Sequence, residues 1–192
     1  MLSYVDVLLG NKPVGQCVAV VGAGGIGFDV AEFLVHDGHS PTLDLPLWLR
    51  EWGVQDPAVA RGGVAGVRPA PLPPARQVYL LQRKASKPGA GLGKTTGWIH
   101  RAALKMKKVE MLAGVNYDAI DDAGLHLTVA GQARVLAVDS IVICTGQQPL
   151  RELLEPLKAG GISPHVIGGA EMATELDAKR AISQASRLAA VL

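Results

Sequence analysis

Apolar residues fall in short runs that are separated by glycine, proline and polar residues, which is typical of an α/β protein. The run 17–21 (CVAVV) contains small and β-branched residues and predicts a buried parallel strand. Other apolar runs predict strands at 4–9, 77–81, 109–113, 140–144 and 165–167. Apolar residues at helical spacing predict helices at 28–35, 45–52, 97–107, 150–157 and 175–191.

The pattern changes to strict alternation in the middle of the chain. The runs 115–120, 125–129 and 133–138 alternate apolar and polar residues, and Gly-containing turns separate them. This arrangement predicts an antiparallel meander with tight turns. Together with the strand–helix units, it predicts a Rossmann-type, three-layer ββα dinucleotide-binding fold with a central parallel sheet.

A glycine motif follows the first buried strand. The sequence GAGGIG has the spacing G-x-G-x-x-G and stands between a predicted strand and a predicted helix, as the dinucleotide fingerprint requires. Gly22 permits the tight turn, Gly24 lets a pyrophosphate approach the backbone, and Gly27 allows close packing of helix on strand. Gly25 and Ile26 belong to the helix N-terminus, which attracts phosphate. The alternative is a glycine-rich turn that holds no ligand.

The tip of the second predicted strand indicates which dinucleotide is bound. NAD sites place an acidic residue there to bind the ribose 2′-hydroxyl. This sequence has Arg83 and Lys84 instead, followed by Ser86, with no acid nearby. These residues suit a 2′-phosphate, so the sequence favours NADP(H). The alternative is a pair of solvated surface charges.

A second glycine-rich loop, GAGLGKTT, occupies 89–96. It is similar to a P-loop, but Pro88 stands where that motif requires glycine. We therefore expect a loop that lines the dinucleotide cleft, with Lys94 near a phosphate or carboxylate. Thr95 or Thr96 is expected to cap the following helix.

Four further expectations concern the helices. In the helix predicted at 97–107, Trp98 is expected on the packed face and Lys107 among the solvated charges. His100 is expected either in solvent or near the nicotinamide end of the cleft. Glu32, in the first long helix, is a candidate carboxylate near the nicotinamide.

Forty residues, 37–76, separate the first long helix from the second strand, far more than a usual connection. They contain seven prolines and an apolar group around Trp48 and Trp52. We expect a surface excursion with one short helix at 45–52 and an extended return. Its tryptophans would pack on the domain or on a neighbour. The alternative is a disordered loop.

Composition excludes several classes of function. The net charge is +2 and no basic stretch is dense, which argues against nucleic-acid binding. Cys17 and Cys144 fall in predicted strands and are expected to be reduced, as in a cytoplasmic protein. This chain alone has no cysteine cluster for an iron–sulfur centre, and no apolar run predicts a membrane span. His36 and His39 lack a third ligand at matching spacing, so no metal site is predicted.

Four stretches carry a resemblance that covers nearly the whole chain. They are VGAGGIGFDVAEFL (21–34), LQRKASKPGAGLGKTTGWIHR (81–101), VICTGQQP (142–149) and VIGGAEMATELDAKRAI (166–182). On these residues the chain resembles the C-terminal part of the bacterial NADPH-dependent 2,4-dienoyl-CoA reductases, which belong to the old yellow enzyme-like flavoproteins. The second stretch is the most diagnostic because it is long.

The resemblance implies a domain organisation. Such reductases carry FMN in an N-terminal (β/α)8 barrel, then a 4Fe-4S cluster, and a FAD domain into which an NADPH domain is inserted. Residues 1–15 would be a hinge or partial FAD-domain strand, 16–146 the NADPH domain, and 147–192 the end of the FAD domain. The natural polypeptide is then expected to be longer than this chain.

The resemblance also implies cofactor contacts and a reaction. Gly146 would lie at a turn beside the nucleotide, and Gly168, Gly169 and Ala170 would approach FAD; the alternative for these three is a turn that only starts a helix. Hydride would pass from NADPH to FAD, and electrons through the cluster to FMN and a 2,4-dienoyl-CoA of fatty-acid β-oxidation. This chain would contribute no catalytic residue and would be inactive alone. The alternative function is a non-catalytic adenine-nucleotide-binding or interaction module of a related flavoprotein, such as an amine dehydrogenase.

Overall fold

The computed structural model describes residues 1–38, 40–174 and 177–192. The chain divides into two compact units, residues 1–145 and 146–192. Which cofactor domain each one represents stays a prediction.

A five-stranded, fully parallel sheet forms the centre of the first unit, in the order β1-β8-β2-β3-β4. Four of its strands confirm predictions: β2 Cys17–Val21, β3 Gln77–Leu81, β4 Glu110–Leu112 and β8 Ser140–Ile143. The fifth, β1 Leu2–Ser3, was not predicted. The chain therefore adds strands on one side of β2 and then crosses to the other side to place β8. The carboxyl ends of β2 and β8 mark the point where the strand order reverses.

The predicted meander forms a second, antiparallel sheet. Its strands are β5 Val115–Asp121, β6 Gly124–Val129 and β7 Gln132–Leu136, and neighbours in this order pair. The sheet covers one face of the parallel sheet. Arg134 of β7 donates to Glu110 of β4 at 2.5 and 3.1 Å, which ties the two sheets at their edge.

Alternation along β2 divides the core into two parts. Val18 and Val20 are fully buried among residues of the helical layer, whereas Ala19 and Val21 are buried among residues of the meander. Both faces of the parallel sheet are therefore covered, as its uniformly apolar strands require. This confirms the three-layer ββα fold.

The helical layer contains α2 Gly25–Val35 and α4 Gly97–Met106. Phe28 and Leu34 of α2 and Leu104 of α4 are fully buried. Trp98 was expected on this packed face, but that expectation is wrong. Its side chain is exposed, and its indole N–H donates to Thr95 O at 3.0 Å.

The insertion 37–76 contains the predicted helix, α3 Leu45–Trp52, after a short 3-10 turn at Pro41–Leu43. Asp44 caps α3 by accepting from Leu47 N–H at 3.0 Å, and Gly53 ends it with a left-handed φ of 65°. The ring centroids of Trp48 and Trp52 lie 6.2 Å apart. The insertion is thus built around a capped helix.

Three local predictions need correction. The strand expected at 4–9 is a helix, α1 Tyr4–Leu8, because the Ser3 hydroxyl accepts from Asp6 N–H and caps a helical turn. The helix expected at 150–157 is α5, Leu154–Ala159. The stretch 165–167 is not a strand, since no described segment of its unit pairs with it.

The second unit contains α5, a 3-10 turn at Gly168–Ala170 and α6 Ala178–Ala189. The Asp177 carboxylate accepts from Arg180 N–H at 2.6 Å and caps α6. The helix was predicted to begin at Glu175, which lies outside the described residues, as does Leu176.

Candidate functional site

The candidate site lies at the carboxyl edge of the parallel sheet, where the strand order reverses between β2 and β8. Gly22 follows β2 and Thr145 closely follows β8. A Cβ atom placed on Gly22 would stand 2.8 Å from Cys144 O and 2.7 Å from Thr145 Cγ2. In open α/β sheets, ligands bind in the crevice at such a reversal point.

The glycine turn has the shape that a pyrophosphate requires. Gly22 has a φ of 113°, which L side chains rarely adopt. A Cβ on Gly27 would lie 1.7 Å from Gly22 O, so only glycine lets α2 approach the turn this closely. At Gly24 nothing lies within 4 Å of the Cβ position, so the turn is open on that side. These residues therefore fit a bound dinucleotide.

A cavity of about 320 Å³ opens beside this turn. It brings together five of the predicted cofactor residues from two separate segments: Gly22, Gly24, Arg83, Lys84 and Ser86. Gly89, Ala90 and Gly91 also line it, as expected for the second glycine-rich loop. Its wall contains residues that the sequence did not single out as well, namely Ala23, Gln82, Lys87, Tyr117 and Thr145. The cavity thus joins a glycine turn to a cationic strand tip.

Tyr117 reaches this cavity from the meander. Burial raises the pKa of its phenol, and the positive charge of Arg83 only partly opposes that change. The hydroxyl therefore stays protonated and can donate a hydrogen bond. The sequence did not predict Tyr117 at this cavity. Neither the alternation of the meander nor the apolar runs of the parallel strands shows how the two sheets lie on each other.

Other predicted residues lie outside the cavity wall. Ile26 packs its side chain against the apolar core, and Gly25 lies in the first turn of α2. Lys94 and Thr95 are exposed and do not line the cavity. Thr96 is the N-cap residue of α4, but its side chain makes no capping hydrogen bond. The expectation that a threonine side chain caps this helix is therefore wrong.

The remaining predicted residues belong to the second unit. Gly146 has a left-handed φ of 75°. Gly168 N–H donates to Gln184 Oε1 at 2.7 Å, and Ala170 O accepts from Arg151 Nε at 2.5 Å. The N–H of Gly168 is therefore already paired within this unit, and the approach of Gly168, Gly169 and Ala170 to FAD stays a prediction.

Glu32 and His100 do not line the dinucleotide cavity. They line a separate cavity of about 650 Å³ between α2, the insertion and α4, where His100 Nδ1 lies 3.4 Å from Glu32 Oε2. The expectation that places them near a nicotinamide is not supported by this position. His36 Nδ1 lies 2.7 Å from Glu32 O, and His39 lies outside the described residues. No group of metal-ligating side chains occurs among the described residues.

The two cysteines are far apart. Cys17 begins β2 and Cys144 follows β8, so the parallel register separates them by about 16 Å along the sheet. A disulfide needs Cα atoms within about 7 Å. The two thiols of this chain therefore cannot bond to each other.

A parallel sheet with a glycine turn at the point where its strand order reverses is the arrangement of a dinucleotide-binding domain. Residues 3–176 match the pyridine nucleotide-disulphide oxidoreductase family, and the chain belongs to that family, which binds FAD and NAD(P). In the part of the chain that the structure describes, no helix is long and apolar enough to cross a membrane.

Three known proteins that match this chain are much longer than it is. A metal reductase of Desulforamulus reducens is 24% identical over 165 residues, covering 86% of this chain and 23% of the relative. The structure of a 2-naphthoyl-CoA reductase complex matches 88% of this chain and 20% of its own, with a TM-score of 0.57 and 19% identity. The structure of the 6-hydroxypseudooxynicotine amine oxidase of Pseudomonas geniculata N1 matches 91% of this chain and 22% of its own, with a TM-score of 0.59 and 18% identity. The chain spans less than a quarter of each.

Proposed function

We propose that this chain is the NADPH-binding part of a larger flavoprotein reductase. The observation that carries the proposal is the gathering of Arg83, Lys84 and Ser86 on the same cavity as Gly22 and Gly24. The glycine turn suits a pyrophosphate, and the cations suit the extra phosphate that distinguishes NADPH from NADH.

The chain's own residues would act by binding and orientation. The N-terminus of α2 and the open side of Gly24 would hold the pyrophosphate. Arg83 and Lys84 would hold the 2′-phosphate, with Ser86 as a hydroxyl donor. NADPH, when bound, supplies a hydride for a flavin. No side chain of this site is needed to move a proton.

The resemblance of the sequence to the 2,4-dienoyl-CoA reductases extends the proposal to the whole enzyme. The parent would reduce a 2,4-dienoyl-CoA in the cytoplasm, with FAD, FMN and a 4Fe-4S cluster held mainly by parts outside this chain. Those parts, the remaining FAD domain and the (β/α)8 barrel, would be its partners. The likeness to a 2-naphthoyl-CoA reductase supports the fold of such an enzyme. The isolated chain would bind NADPH but would not reduce the substrate.

Calorimetric titration with NADPH, NADH and ADP tests the proposal. Wild type should prefer NADPH, and Arg83→Ala should weaken NADPH binding by about tenfold while leaving NADH within about twofold. Lys105→Ala is the matched control, because Lys105 is an exposed cation on α4 away from the cavity. Equal affinity of wild type for NADPH and NADH would overturn the 2′-phosphate assignment. Equal affinity for NADPH and ADP would favour the adenine-nucleotide module instead.

A further inference from the structure

The segment that presents the three phosphate-binding candidates has no regular backbone structure. Gln82 follows β3 directly, and residues 83–86 then form a series of bends and are exposed. One backbone hydrogen bond, from Gly114 N–H to Lys84 O at 3.0 Å, holds its middle. A segment of this kind needs a further support to keep Arg83, Lys84 and Ser86 on one side of the cavity.

Gln82 supplies that support. Its side-chain amide nitrogen lies 3.0 Å from Lys84 O and also donates to Ser86 O. An amide NH₂ has two donors, so both are used, one on each carbonyl. The main chain of Gln82 is itself fixed, since its N–H donates to Leu112 O and its C=O accepts from Val115 N–H, both at 3.0 Å.

The geometry points to Gln82 as the positioning residue for NADPH selectivity: it folds the strand tip so that Arg83, Lys84 and Ser86 converge before the nucleotide arrives. This inference rests on the proposed function. Ordering a flexible segment at the moment of binding costs affinity, and a segment already ordered avoids that cost. The benefit would fall mainly on the 2′-phosphate, because that is the group that Arg83 and Lys84 are proposed to hold.

Gln82→Met tests the inference, since methionine has nearly the same length and no donor or charge. We expect NADPH affinity to fall by about tenfold and NADH affinity to change by less than about twofold. The salt dependence of NADPH binding should stay as steep as in wild type, because no cation is lost, whereas Arg83→Ala should make it shallower. Equal weakening of both nucleotides, or no weakening, would overturn the inference.

A second measurement does not depend on the nucleotide. Backbone ¹⁵N relaxation of the free protein should show lower order parameters at Lys84 and Ser86 in Gln82→Met than in wild type. Unchanged order parameters would overturn the role of Gln82 even if NADPH is preferred. If wild type shows no preference for NADPH, the proposed function fails, and the relaxation result alone decides whether Gln82 orders the strand tip.

Discussion

Lys107 Nζ lies 2.8 Å from Glu51 Oε1, and the two side chains are only 6% and 5% exposed. Leu72 completes the arrangement: its N–H donates to Glu51 Oε1 and its carbonyl accepts from Lys107 Nζ, both at 3.0 Å. The pair therefore fastens α3 and the return of the insertion to the end of α4. Lys107 was expected to be a solvated charge, and that expectation is wrong because the insertion covers it.

Removing one partner of this pair should be strongly destabilising. Lys107→Met leaves the Glu51 carboxylate buried without its cation, and we expect a loss of about 3–5 kcal/mol in the free energy of unfolding. The double variant Glu51→Gln with Lys107→Met removes both charges and should recover most of that loss. Urea denaturation measures all three proteins.

The control is Lys105→Met, an exposed cation on the same helix, which should change the free energy of unfolding by less than about 0.5 kcal/mol. A double variant as unstable as Lys107→Met would show that packing of the lysine stem, rather than the unpaired charge, carries the effect.

The same pair predicts a dependence of stability on pH. Burial alone would raise the pKa of Glu51, but hydrogen bonds from Lys107 and Leu72 and the charge of Lys107 outweigh it, so the pKa lies below its ordinary value. The unfolded state then binds more protons than the folded state around that range. The contribution of Glu51 is therefore complete at neutral pH and is lost as the pH falls below about 4.5.

Urea denaturation between pH 7 and pH 3 tests this sign. The difference in stability between wild type and Glu51→Gln should shrink as the pH is lowered. A difference that is constant over this range would mean that Glu51 is not held ionised by Lys107.

Local patterns predicted most of the fold because each one has a single structural solution. The apolar run at β2, the glycine spacing after it and the alternation at 115–138 each fix an element without reference to distant residues. Arg83 and Lys84 could be placed for the same reason, since they directly follow a strand. The place of Tyr117 and the burial of Lys107 could not be predicted, because each depends on how a separate segment packs. The meander brings Tyr117 over the parallel sheet, and the insertion covers Lys107 at the end of α4. The polar cap at Ser3 outweighed an apolar run, so α1 was missed.

Two alanine substitutions separate packing from ligand binding in the glycine turn. Gly27→Ala would place a methyl 1.7 Å from Gly22 O, so we expect a loss of about 3 kcal/mol in the free energy of unfolding. Gly24→Ala has open space around its methyl and an ordinary φ of −84°, so it should cost about 1 kcal/mol or less. Its methyl would instead occupy the approach of the pyrophosphate, and NADPH affinity should fall by about tenfold or more.

Thermal denaturation and calorimetric titration of the two variants test this contrast. Gly24→Ala should keep a melting temperature close to that of wild type and lose NADPH and ADP binding together, because both ligands carry the pyrophosphate. Unchanged nucleotide affinity in a folded Gly24→Ala protein would contradict the placement of the pyrophosphate at this turn.

Cys144 should be unreactive in the folded protein. Burial raises the pKa of its thiol to about 12, so very little thiolate is present at pH 8, and thiolate is the reactive form. We expect alkylation of Cys144 by iodoacetamide to be at least about a hundredfold slower in the native protein than in urea. Peptide mass spectrometry over time distinguishes it from Cys17, whose pKa is raised by burial and by the nearby Asp139 carboxylate. Equal rates for Cys144 in native and unfolded protein would show that the end of β8 is open to reagents, and would make this thiol a candidate for redox chemistry beside the glycine turn.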